Sequence, residues 1–231
     1  MVLTPMNKAQ KIHQLLVDFF GEPTWRTKLA PLDELVSTIL SQNTNDANRD
    51  RAFDSLKENF TNWKEVRDAP EEKVVDAIRV AGLANQKGPR IQSILKEISE
   101  ERGALDLDFL AAMSSQEAYD WLMKFKGVGP KTASIVLLFS LGKSAFPVDT
   151  HIHRVTGRLG LRPLKMNADK AHEHLADQFS PVTYYTAHLN LIRLGREICQ
   201  ARQPRCEICP LLDYCQYYVE NVAIGSESRA E

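Results

Sequence analysis

Phe125-Lys-Gly-Val-Gly-Pro-Lys131, running on into Thr132-Ala-Ser-Ile-Val-Leu-Leu-Phe-Ser-Leu141, is the stretch whose reading decides the fold. Gly127 and Gly129 permit backbone angles and close approaches that side chains block. Pro130 suits a helix start, because its missing N–H costs nothing there. The stretch therefore predicts two helices joined by a glycine turn, with N–H groups at a helix N-terminus that could cradle a phosphate oxygen. An ordinary tight turn is the other reading of the glycines alone. Lys131 follows in the first helical turn, the positive end of the macrodipole. The run behind it is apolar on nearly every face, which predicts a buried helix. Dipole and desolvation would both push the lysine toward a neutral amine able to attack carbon. A lysine reaching into solvent or gripping a phosphate is the alternative.

Outward from the hairpin, the chain reads as helix almost throughout, so an all-α fold is expected. Asp33–Leu40, Glu71–Val80, Ile91–Ile98 and Gln116–Met123 carry apolar residues at i, i+3 and i+4 spacing. Ser114 or Ser115 can cap the last of these, and Pro70-Glu-Glu opens another with acids in its first turn. No alternating segment bounded by Asn-Gly or Asp-Gly suggests strands. Gly88-Pro-Arg-Ile echoes Gly129-Pro-Lys-Thr and is read as a second helix start. Arg90 keeps its proton where Lys131 can lose one. The small, polar Gly225–Glu231 is expected to be a frayed tail.

The four cysteines of the chain, Cys199, Cys206, Cys209 and Cys215, are spaced C-x6-C-x2-C-x5-C. That is too tight for a disulfide framework. Four thiolates are what a [4Fe–4S] cluster requires. Zinc is the alternative, but all-cysteine zinc sites pair two short knuckles, and only Cys206-Glu-Ile-Cys209 is one. Hydrophobic residues make up 43% and charged residues 26% of the chain, as in an ordinary globular protein. The opening residues show neither a signal peptide nor a membrane span, so a reducing, cytosolic setting is expected. Net charge is only −1, but Leu122–Leu161 holds six basic residues against Asp149. Arg193, Arg196, Arg202 and Arg205 cluster near the cysteines. Such local patches suit a polyanion; a solvated helix face is the alternative.

Pro147-Val-Asp-Thr-His-Ile-His-Arg154 begins another helix. Asp149 is placed to cap it and could also stabilise positive charge developing on a sugar. His151 and His153 stand i, i+2 apart, on different helix faces, so metal binding is not expected of them.

Hairpin and cysteine cluster occur here in one chain. The sequence resembles the endonuclease III family of DNA glycosylases, within the helix-hairpin-helix Gly/Pro-Asp superfamily. The match rests on Phe125–Ala133, Val148–Val155, Gly195–Cys199, and Pro204–Cys209 continuing to Cys215. The resemblance implies two helical lobes with a DNA-binding cleft between them. A six-helix barrel with the hairpin would span residues 24–142. A discontinuous lobe of residues 1–23 and 143–231 would hold a [4Fe–4S] cluster on the four cysteines. It implies a bifunctional enzyme of base excision repair that removes oxidised pyrimidines. Lys131 would attack C1′ as a Schiff-base nucleophile, Asp149 would assist, and β-elimination would cut 3′ to the abasic site. The partner would be double-stranded DNA carrying damaged bases or abasic sites, bound by a monomer in the cytoplasm, at the nucleoid in a prokaryote.

Target extrusion leaves a hole in the stack. Leu83 is a candidate wedge, or else a cap contact on its helix. Gln42 and Asn43 could bond the orphaned base, Asn43 standing where the bacterial pattern has glutamine and Ala84 where an aromatic is common. The resemblance also assigns Lys87, Gly127, Gly129, His151 and Arg154 to DNA contact, and Arg202 and Arg205 to phosphates. Two rival readings are a monofunctional mismatch glycosylase using water, against which Lys131 argues, and a non-catalytic iron–sulfur DNA-binding protein.

Overall fold

The computed structural model describes residues 6–24 and 27–223, and every regular element among them is helical. The chain divides into two compact units, 27–143 and a discontinuous one built from the residues before and after it. The tail Gly225–Glu231 lies outside the described residues. No helix among them is long and apolar enough to cross a membrane.

The continuous unit wraps around α2 (Pro31–Ser41), opened by Pro31 at its first position. Leu35, Ile39 and Leu40 are wholly buried, and α2 packs on α3 (Asp46–Asn59), α6 (Ala84–Arg102) and α8 (Pro130–Ile135). Each such side chain contributes about 1.5–3 kcal/mol relative to exposure. Between α3 and α6 lie α4 (Trp63–Asp68) and α5 (Glu71–Ala77). The helix expected over Glu71–Val80 ends at Ala77 and is followed by a tighter turn at Arg79–Ala81. The Gly88-Pro89 echo is corrected too: both residues lie inside α6, which starts after Leu83. Gly88 is there for packing, since a Cβ would come within 2.9 Å of Val75 Cγ2.

The helix α7 (Ser115–Met123) leads into the hairpin. Ser114 closes a capping box, its hydroxyl accepting from the Glu117 N–H at 3.2 Å while the Glu117 carboxylate accepts from the Ser114 N–H at 2.8 Å. Trp121 packs edge-on against Phe109 and Phe125. Beyond it, α8 runs into a π turn over Val136–Ser140, buried throughout.

In the discontinuous unit, α11 (Tyr184–Glu197) packs on α1 (Lys8–Phe20) and α9 (Thr150–Arg158). The N-terminal segment is fastened by Asn190 Nδ2 to the Gly21 carbonyl at 3.1 Å and Thr186 Oγ1 to Glu22 at 2.7 Å. Phe146 stacks on Phe179 and meets Tyr184 edge-on. The helix α10 (Ala168–Ala176) packs on α9, and the chain reaches the short α12 (Gln216–Tyr218) through the cysteine loop.

Candidate functional site

In the continuous unit the hairpin is built by side chains of opposite habit. Phe125 and Val128 are buried, anchoring the turn from within, while Gly127 is exposed with φ +90°. That angle lies in the left-handed region and requires glycine. Gly129 caps α8 in extended backbone. The burial expected of α8 is seen at Thr132, Ala133 and Ser134, but Lys131 itself is exposed. The expected desolvation of this lysine is therefore corrected: the protein alone does not supply it. The Lys131 amine has no hydrogen bond or ion pair among the described residues.

Behind the hairpin, Gln42 accepts from Arg90 Nη1 at 3.1 Å and donates to the Gly127 carbonyl at 3.2 Å. Its amide braces the turn in the free protein. Asn43 is exposed with φ 54°, and Leu83 is 46% exposed with φ 52°. These two are the non-glycine residues in the left-handed region among those described. Leu83 serves as the N-terminal cap residue of α6 without a side-chain cap bond, so cap position and exposed apolar side chain coexist there.

Lys87 is not a DNA contact. It is 1% exposed, and Nζ donates to the carbonyls of Leu40 at 2.8 Å and Ala81 at 2.9 Å. Burial holds its ammonium below the usual lysine range.

In the other unit Asp149 is the N-cap of α9, its Oδ1 accepting from the Ile152 N–H at 2.7 Å. The second carboxylate oxygen has no such partner among the described residues. His151 Nδ1 lies 3.2 Å from Arg154 Nη2, whereas His153 meets the Met166 carbonyl and Arg162. Arg154, expected at DNA, donates its guanidinium to the carbonyls of Cys199 at 3.1 Å and Gly195 at 2.8 Å. Gly195 leaves room for it: a Cβ would come within 2.9 Å of His151 Cβ. Arg202 and Arg205 are exposed.

All four cysteines line one small pocket, together with Arg158, Ile198, Leu212 and Tyr217. Burial pushes the Cys209 thiol up to about 11 and raises Cys206 and Cys215, and the neighbouring sulfurs add to each rise. Cys206, Cys209 and Cys215, so discouraged from ionising, suit a centre whose own positive charge holds them as thiolates. Among the described residues, no three His, Cys, Asp or Glu side chains converge as one metal ion needs. A zinc ion needs its four sulfurs at about 2.3 Å from one point. Four cysteines around one pocket are the donor set that a [4Fe–4S] cluster takes. Arg158, counted in the sequence only as basic, donates to Cys199 Sγ at 3.3 Å and to the carbonyls of Gln200 and Ala201. Arg90 and Arg158 are the residues that sequence reasoning passed over; their partners lie far along the chain and left no local signal.

These features meet two family models. Residues 36–181 match the HhH-GPD superfamily of base excision DNA repair proteins, and residues 199–215 match the iron–sulfur binding domain of endonuclease III. The chain belongs to the HhH-GPD superfamily. Within it the protein is an endonuclease III-like DNA glycosylase with a [4Fe–4S] cluster. It is 36% identical to endonuclease III of Sulfolobus acidocaldarius over 190 residues, 81% of this chain and 82% of that one. It is 44% identical to the Arabidopsis thaliana protein named "Putative DNA glycosylase At3g47830", covering 79% of this chain and 66% of the relative's length. A trapped endonuclease III–DNA covalent intermediate, an estranged-adenine complex, superposes with TM-score 0.78 at 26% identity, covering 93% of this chain and 99% of that one.

Proposed function

We propose that the protein is a bifunctional DNA glycosylase and abasic-site lyase that removes oxidised pyrimidines from duplex DNA. The observation that carries this reading is the placement of Lys131. It is a solvent-facing amine one residue into α8, beside the glycine turn, on a helix otherwise largely buried. The likeness to an endonuclease III trapped covalently on DNA supports it.

In this mechanism the Lys131 Nζ lone pair attacks C1′ of the extruded nucleotide. The N-glycosidic bond breaks, and the base leaves with a proton. The C1′–O4′ bond then breaks, O4′ taking a proton from the amine, and the opened sugar is held as a Schiff base. Removal of a C2′ proton then breaks the C3′–O bond and frees the 3′ strand as phosphate, and water hydrolyses the imine to restore the lysine. Since Lys131 is exposed in the free protein, the desolvation that favours its neutral form comes from the nucleotide packing over it. Asp149 contributes its free carboxylate oxygen, stabilising positive charge on the sugar. The cluster would supply no reacting atoms; Cys199, Cys206, Cys209 and Cys215 would hold it, ordering the loop where Arg202 and Arg205 are offered to phosphates. The protein acts as a monomer, in the cytoplasm.

Borohydride trapping on duplexes with an oxidised pyrimidine, an abasic site or a T·G mismatch tests the reading. Covalent adducts on the first two and little on the mismatch are expected. Base release without any adduct would assign a water-using, monofunctional enzyme.

A further inference from the structure

Lys87 is a buried ammonium held by two backbone carbonyls. Desolvating such a charge is costly when no carboxylate compensates it. Burial lowers its proton affinity, and no carboxylate pairs with it among the described residues. A methionine would fill the same space without that cost. What the lysine adds is its pair of carbonyl contacts, and the position of those carbonyls is informative.

Leu40 lies in the last turn of α2, where carbonyls lack helical partners. Three residues on is Asn43. Ala81 ends the tight turn before Gly82, and two residues on is Leu83. One ammonium thus holds, at 2.8 and 2.9 Å, the roots of two loops that are 47 and 6 residues from it in sequence. Both loops store backbone strain, at Asn43 with φ 54° and Leu83 with φ 52°. Conformations of that kind cost about 1–3 kcal/mol each and persist where the surroundings over-determine them. Each loop presents its strained residue to solvent, one an amide and one an apolar side chain.

We infer that Lys87 is a positioning residue that clamps the Asn43 and Leu83 loops in one register, so that amide and wedge enter a duplex together. The inference rests on the reading of the protein as an enzyme that extrudes a nucleotide from duplex DNA. It separates duplex engagement from the hairpin. Asn43 and Leu83 matter where an opposite strand and an intact stack exist, while the hairpin and Lys131 meet one strand alone.

Lys87→Met in the full holoprotein keeps the length and removes the donors. Two measurements read the result: anisotropy titrations with an uncleavable tetrahydrofuran abasic analogue, in duplex and single-stranded form, and amide hydrogen exchange. About tenfold or greater weakening on the abasic duplex is expected, in line with the loss of two hydrogen bonds from a charged donor. Binding to the single strand and to undamaged duplex stays within about twofold, being phosphate-driven. Exchange at residues 42–44 and 83–86 rises together, while residues 126–130 are unchanged. Equal weakening on all three DNAs, no weakening on any, or faster exchange in one loop only would overturn the clamp. If the variant does not fold, native-state exchange of the wild type in denaturant decides: the two loops must share one opening free energy, and separate values refute the coupling. A wild type that shows no preference for the abasic duplex would instead count against the enzymatic reading, and the exchange data would still judge the clamp.

Discussion

The side-chain amide of Gln42 donates to the carbonyl of Gly127 at 3.2 Å, tying the loop after α2 to the apex of the hairpin. The residue beside it, Asn43, is exposed and strained. Two adjacent amides therefore stand in different surroundings, and their variants should separate.

Gln42→Ala removes the bond to Gly127 and leaves Arg90 without its acceptor. Each lost bond is worth about 0.5–1.5 kcal/mol, so binding to every duplex should weaken several-fold regardless of the base opposite the lesion. Asn43→Ala should instead flatten the preference among opposite bases. Titrations against abasic duplexes bearing each of the four opposite bases distinguish them; identical profiles for both variants would contradict the division.

Leu83→Gly exchanges function for stability. Glycine adopts φ 52° without strain, and the leucine is 46% exposed, so the relieved strain of about 1 kcal/mol should at least offset the burial lost. Loss of the wedge should cut turnover on duplex lesions roughly tenfold or more. Thermal melts and single-turnover kinetics check the two halves. A lower Tm would mean that the leucine side chain, rather than its backbone, governs local stability.

Arg202 and Arg205 are exposed on the loop between the first two cysteines. If they neutralise two phosphates, the double alanine variant should reduce the slope of log K against log salt by about 2. The loss should be the same for damaged and undamaged DNA. An unchanged slope removes them from the interface.

The segment Cys199–Cys215 has short turns of three residues and little buried apolar surface of its own. The cluster is its core. Iron and acid-labile sulfide should each approach about four per chain. Stripping the cluster should expose four titratable thiols and abolish DNA binding while most helical signal persists, since α1, α9 and α11 pack without it. Stoichiometric zinc in place of iron would overturn the cofactor.

How much of this was legible in the sequence depended on range. The glycine hairpin, the cap at Ser114 or Ser115 and the Asp149 cap are local patterns, read from residues within four positions of each other. The cysteine spacing is nearly as local. What escaped were long-range partners. Arg154 was assigned to DNA, yet it bonds a carbonyl 45 residues away, and Gln42 bonds one 85 residues away. Lys87 reads as a surface cation because a lone lysine gives no sign of two waiting carbonyls. Gly88-Pro89 has the local signature of a helix start, but the close approach to Val75 placed it inside α6. Lys131 erred in the opposite sense: an apolar helix suggested burial, while the first turn points its side chain outward.

The central claim is that Lys131 becomes bonded to the sugar, and peptide mass spectrometry after borohydride reduction tests it most directly. Wild-type protein reacted with an abasic duplex should carry the reduced deoxyribose remnant on the peptide containing Lys131, and Lys131→Gln should carry none. A remnant on another amine, or undiminished trapping by Lys131→Gln, would contradict the account.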